Sequence, residues 1–196
     1  MAVAPVIGIL LAAGFSRRFG SNKLLQRLPD GQLVAQAAAR ALQSALPGAL
    51  AVIRPGVPEL AQILREAGLQ VSVCEEAIEG MGASLAHALR TLADRPATGY
   101  VVALADMPFV KPDTFRTVAA CLQTAARPLA PGWRGERGHP VGLPARYRDE
   151  LAQLRGDQGA REIIARDGID LIDVDDPGVV RDIDQPADLP GSTQNG

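Results

Sequence analysis

Val6-Ile7-Gly8-Ile9-Leu10-Leu11, running straight into Ala12-Ala13-Gly14-Phe15-Ser16-Arg17-Arg18-Phe19-Gly20-Ser21-Asn22-Lys23-Leu24-Leu25, is the stretch that decides the fold. The first six residues are continuously apolar, as strands covered on both faces of a parallel sheet are. The residues after them form a glycine-containing basic loop at the strand's C-terminal end, which is where open α/β sheets bind their ligands. Working outward, apolar runs alternate with helical patterns, the mark of an α/β fold with a mainly parallel sheet. Helices are expected at Leu33–Leu46, Pro58–Ala67, Ala83–Leu92, Asp113–Ala125, Arg146–Leu154 and Ala160–Arg166. Strands are expected at Leu50–Ile53, Gln70–Cys74, Tyr100–Leu104, Leu129–Trp133, Val141–Leu143, Ile169–Val174 and Val179–Ile183. Gly132, Gly135 and Gly138 around Arg134 and Arg137 read as a mobile loop.

The chain has 196 residues, 47% of them hydrophobic and 21% charged, which fits one globular domain with a sizeable core. That domain is expected over 1–189, followed by a small polar, frayed tail at 190–196. Val6–Ala13 is too short for a membrane span of about 20 residues and has no basic flank, so no signal peptide or anchor is expected. Cys74 and Cys121 make no disulfide framework and lack metal-ligand spacing, and a reducing cytoplasm follows as the expected compartment. A net charge of −2 with 4% aromatics argues against nucleic-acid polymers as partners. Charge is nevertheless polarised. No acid precedes Asp30, whereas Arg17, Arg18, Lys23 and Arg27 do, and from Asp167 to Asp188 eight aspartates face only Arg181.

Three segments carry candidate chemistry. In the first loop Gly14 and Gly20 allow close backbone approach, and Ser16, Arg18 and Lys23 offer donors, so the loop reads as a polyphosphate cradle or as an ordinary glycine loop with solvated arginines. It is neither a P-loop nor a dinucleotide fingerprint. Asp106, ending the central apolar strand, points toward the same crevice, where it can hold Mg²⁺ or serve as a turn former. Asp182 and Asp184 share a face of an extended segment, and either can complete a metal site with Asp106. Asp188 belongs to the first turn of a terminal helix, and the other aspartates form a solvated acidic edge. His139 and Pro140, and Asp157 and Arg161 beside Gly159, are either contacts for a second substrate or turn residues. Met81 and Ser84 line a pocket if Gly80 and Gly82 open the helix start, and His87 reads as a helix-surface residue. No Ser or Cys stands with a paired His and Asp, so triad chemistry has no support.

With these residues in view, the loop LAAGFSRRFGSNKLL resembles the signature of MobA-like nucleotidyltransferases, the group of molybdenum cofactor guanylyltransferases and cytidylyltransferases. EGMGASL, LADMPFV, GERGHPV, GDQGAR and DIDQPADL follow in the family's order, from Val6 to Leu189 in all. The Ala12-Ala13-Gly14 version is similar to the CTP-using branch, the GTP-using branch tending to Ala-Gly-Gly. Two departures stand out: Gln185 where the family often has Thr, and Gly142 where a larger apolar residue is common.

The resemblance implies a single-domain, Rossmann-like, three-layer α/β/α nucleotidyltransferase of the GT-A-like kind. It implies base and ribose contacts from Leu11, Ala12, Ala13 and Gly14, with Ser16 and Ser84 also placed at the nucleotide, triphosphate binding by Arg18 and Lys23, and Mg²⁺ on Asp106 with Asp184 or Asp182. His139, Pro140, Asp157 and Arg161 are then the candidates for acceptor contacts. The implied reaction transfers CMP from CTP to the phosphate of molybdenum-bound molybdopterin, for delivery to a molybdenum hydroxylase client. Rival readings are a GTP-using enzyme, transfer to another phosphorylated acceptor, and a non-catalytic cofactor chaperone.

Overall fold

The computed structural model describes residues 4–15, 19, 22–157 and 159–190. Its sheet is built on β1 (Val6–Ala12), which pairs in parallel with β2 (Leu50–Ile53) on one side and β4 (Gly99–Leu104) on the other. β3 (Gln70–Val73) extends the sheet beyond β2. Beyond β4 come β7 (Val141–Pro144), β5 (Leu129–Trp133) and, on the far side of β5, β8 (Asp170–Asp173). Only β7 and the two-residue β6 (Glu136–Arg137) run against the rest. The sheet is therefore mainly parallel, as the continuous apolar runs require.

Alternation along β1 explains the layers. Leu10 and Ala12 face one apolar cluster, roofed by α1 (Val34–Ala45), α2 (Pro58–Glu66) and α4 (Pro112–Leu122). Ile7, Ile9 and Leu11 face the other, closed by α3 (Met81–Thr91), α5 (Arg148–Leu151) and α6 (Arg161–Asp167). Each fully buried Leu or Ile contributes roughly 1.5–3 kcal/mol of transfer free energy, so the two clusters are what hold the three layers together. At Gly8 a Cβ would sit 3.0 Å from the Ala49 Cβ and 3.1 Å from Leu42 Cδ1, so the glycine lets α1 lie close on the sheet. Among the described residues no helix is long and apolar enough to cross a membrane.

Four expectations are corrected. The loop at 132–138 is a tight hairpin: Arg134 and Gly135 both have positive φ (52° and 83°), as a two-residue turn matching strand twist demands. Val179–Ile183 is not a strand, because the Asp176 carboxylate accepts from the Gly178 amide and starts a 3₁₀ turn at Pro177–Val180. The helix expected over Arg146–Leu154 is shorter, since Gln153 and Leu154 bond back to Glu150 and Leu151 in a tightened last turn. Asp188 ends a 3₁₀ turn at Pro186–Asp188 rather than opening a helix. The tail expected at 190–196 lies outside the described residues from 191 onward, as do Ser16 and Arg18. Gly142, one of the two departures, has a packing reason: a Cβ there would lie 2.7 Å from Leu129 Cδ1, where β7 crosses β5.

Candidate functional site

The chain leaves β1 toward β2 and β4 in opposite directions, and a crevice opens where such a sheet switches direction. The cavity there has a volume of about 550 Å³, within the range of small-molecule sites. Leu11, Ala12, Ala13 and Gly14 line it from the β1 end, Asp106 from the β4 end, and Lys23 from a 3₁₀ turn at Lys23–Leu25 whose start is capped by the Asn22 side chain. Ser84 and Met81 line it from α3, together with Ala77, Ile78 and Glu79 of the short helix before α3. The stretch at 77–79 carries no sequence rule that marks it as a wall, and the structure leaves Ile78 69% exposed there.

At the floor, the Lys23 ammonium donates to Asp106 Oδ2 at 2.7 Å and to Asp184 Oδ1 at 3.0 Å. Burial works against the charge on Lys23, but the hydrogen bonds and proximity of Asp106 and Asp184 outweigh it and raise its pKa above the ordinary value. Asp184 arrives from the far end of the chain on a segment laid along the loop after β4. Gly178 makes that approach possible, since a Cβ there would fall 2.1 Å from the Phe109 carbonyl oxygen, and the Ile183 amide bonds the Asp106 carbonyl at 2.9 Å. Asp188 accepts from the amides of Asp184 and Gln185 at 2.8 and 2.7 Å, which fixes the turn presenting Asp184. Asp176 anchors the same segment. It is 2% exposed and accepts from the Lys111 amide, the Thr114 hydroxyl and the Gly178 amide, so it is a buried structural cap and not part of a solvated edge.

Carboxylate oxygens of Asp106, Asp182 and Asp184 lie within 4.8 Å of one another. Among the described residues Asp106 Oδ1 is buried without a hydrogen-bond partner. An all-oxygen donor set with a buried oxygen left over fits a hard divalent cation, which takes carboxylates and completes its shell with water and phosphate.

The remaining expected residues fall in different places. Asp157 lines the cavity, but its carboxylate accepts from the Met81 amide at 3.3 Å and so caps α3. Gly80 lines the cavity with Met81 and Ser84, and Gly80 and Gly82 serve packing as well. They admit the backbone of Arg155, Gly156, Asp157 and Gly159, for a Cβ on Gly80 would be 2.7 Å from Asp157 Cα and one on Gly82 2.9 Å from the Gly156 carbonyl oxygen. His139 sits behind the acidic cluster and does not line the cavity; desolvation lowers its pKa, opposed by the Asp106 and Asp182 carboxylates. Pro140 is buried, and Arg161, exposed at the start of α6, does not line the cavity either. His87 is half-buried, its Nε2 2.7 Å from the Ser72 hydroxyl, and a Cys74–Glu76–His87 group stands beside it.

The family model for the MobA-like NTP transferase domain matches residues 8–171. The purine catabolism protein PucB of Bacillus subtilis (strain 168) is 28% identical over 192 residues, covering 92% of each chain. Among solved structures, Rv0371c from Mycobacterium tuberculosis H37Rv superposes with a TM-score of 0.79 at 28% identity over 96% of both chains. The same protein in complex with manganese gives 0.78 at 26% identity, covering 94% of this chain and 96% of that one.

Proposed function

The chain belongs to the MobA-like NTP transferase family, and from that premise we propose that it transfers CMP from CTP to the terminal phosphate of molybdenum-bound molybdopterin. The observation that carries the reading is the convergence of Lys23, Asp106 and Asp184 at the floor of a nucleotide-sized cavity beside β1 and β4. An acceptor phosphate oxygen attacks the α-phosphorus in line. A new P–O bond forms as the bond from the α-phosphorus to the bridging oxygen breaks, and pyrophosphate leaves. The acceptor is already ionised near neutral pH, so no general base is required. The work is to position two anions and neutralise the leaving group.

In this proposal Leu11, Ala12, Ala13 and Gly14 hold the base and ribose against the end of β1, with Ser84 across the cavity. The Lys23 ammonium leaves its carboxylates for the phosphates, alongside Arg18. Asp106 and Asp184, with Asp182, would hold Mg²⁺, which supplies charge neutralisation on the triphosphate; the manganese complex of the mycobacterial relative supports a divalent cation. His139 and Pro140 support the loop behind the acidic cluster, and Asp157 and Arg161 flank the side from which the acceptor approaches. The Ala12-Ala13-Gly14 loop supports CTP as donor. Likeness to a protein named for purine catabolism supports a purine-oxidising hydroxylase as the client.

The test is pyrophosphate release from CTP, GTP, ATP and UTP, with and without molybdenum-bound molybdopterin. Acceptor-dependent release from CTP, abolished in Asp106→Asn, is the expected result. Preference for GTP overturns the choice of donor. Cofactor binding with no pyrophosphate from any nucleotide overturns catalysis in favour of a chaperone.

A further inference from the structure

His87 lies 11 residues beyond Glu76 and 13 beyond Cys74, yet the ligand atoms of all three lie within 4.8 Å of one another. They come from three elements. Cys74 follows β3 and is pinned by its amide to the Ile53 carbonyl at 2.9 Å; Glu76 lies in the short helix before α3; His87 lies midway along α3. The Cys74 Sγ to Glu76 Oε2 distance is 3.7 Å. For a tetrahedral ion with metal–sulfur and metal–oxygen bonds of about 2.3 and 2.0 Å, that edge measures roughly 3.5 Å. The Ser72 hydroxyl, 2.7 Å from His87 Nε2, orients the imidazole as outer partners of metal-bound histidines do.

We propose that Cys74, Glu76 and His87 form a second metal site, distinct from the Asp106 cluster and selective for a borderline-soft divalent cation of the Zn²⁺ type. Thiolate and imidazole favour such an ion over the hard cations that an all-carboxylate set takes. Binding releases the Cys74 thiol proton to solvent, and three protein ligands leave the fourth position to water. The site's place gives it a consequence. Ala77, Ile78 and Glu79 directly follow Glu76 and line the nucleotide cavity, as do Met81 and Ser84 on the helix that carries His87. An ion there ties β3, the short helix and α3 together and stiffens that wall without touching Asp106.

Cobalt titration of the full, metal-stripped chain reads the site directly, because only a thiolate ligand gives a sulfur-to-cobalt charge-transfer band and the Asp106 cluster has none. The band should appear, be displaced by Zn²⁺, and persist in Cys121→Ser and Asp106→Asn. It should vanish in Cys74→Ser and weaken in Glu76→Gln and His87→Gln. Ser72→Ala should lower cobalt affinity by about tenfold. Cys74 is fully buried and its serine variant can lose fold, so the Glu76 and His87 variants, whose thermal melts should match wild type in the stripped form, carry the decision independently. No band in wild type, a band lost with Cys121, or a band of undiminished affinity in both Glu76→Gln and His87→Gln overturns the proposal.

Discussion

Replacing Lys23 with Met keeps most of the side chain's bulk and removes an ammonium bonded to both Asp106 and Asp184. At 2.7 and 3.0 Å and an effective dielectric constant near 20, each attraction is roughly 6 kcal/mol gross. Desolvation of the ammonium and the carboxylates cancels several kcal/mol per ion. Asp184 is 37% exposed, which screens its share further. A net contribution of about 2 kcal/mol remains. The metal-free variant should therefore be less stable by about that amount, the two carboxylates having lost the ammonium between them. A divalent cation in the wild type has to displace the ammonium, and in Lys23→Met it does not. At 1.4 kcal/mol per factor of ten, Mg²⁺ or Mn²⁺ should bind the nucleotide-free variant about 25-fold more tightly, while turnover falls because the triphosphate has lost its cation. Isothermal titration of metal into both proteins is the assay. Equal or weaker binding by Lys23→Met refutes the idea that lysine and metal share the same oxygens. The pH sign is also fixed. The pKa of Lys23 is raised in the folded protein, so its stabilisation is whole below the ordinary value of 10.5 and is lost as pH rises through the folded value. The stability gap between wild type and Lys23→Met should close only in that strongly alkaline range.

Asp176→Ala strips three donors of a buried acceptor and should cost about 3 kcal/mol, seen as a fall of roughly 6–12 °C in Tm, with metal affinity falling because the segment bearing Asp184 loses its anchor. Gly80→Ala forces a Cβ to 2.7 Å from backbone at a φ of 131°; nucleotide affinity measured by titration should drop by more than tenfold, and an unchanged value would show that the α3 wall does not depend on the 155–159 loop. Arg166 and the Tyr147 hydroxyl hold the Asp167 carboxyl down at about 2. Its stabilisation is present above the unfolded value near 3.9 and lost as pH falls through about 2, so Asp167→Asn should lower acid stability relative to wild type at pH 5 and match it at pH 1.5.

Much of the fold was legible because buried parallel strands write themselves as unbroken apolar runs: Leu50–Ile53 and Leu129–Trp133 begin and end where the sequence places them. What was not legible depended on partners distant in the chain. Val179 and Val180 favour a strand by type, but Asp176 and Gly178 impose a turn because Phe109 lies directly against it. Gly80 and Gly82 suggested ligand access, and Gly80 does line the cavity, but only the position of Arg155, Gly156, Asp157 and Gly159 shows that both glycines also serve packing. The site divides in the same way. Asp106 and the residues of the β1 loop were readable because the end of a parallel strand has a fixed meaning. The wall at 77–79 has no such rule, and Cys74, Glu76 and His87 meet only through the pairing of β3 and the docking of α3 on the sheet.

The pairing of Lys23 with Asp184 spans 161 residues. During synthesis on a ribosome, β1 and its loop emerge early, and the ammonium waits through nearly all of translation for one of its two carboxylates. A nascent chain can close its apolar layers well before it can bring both acids to that lysine.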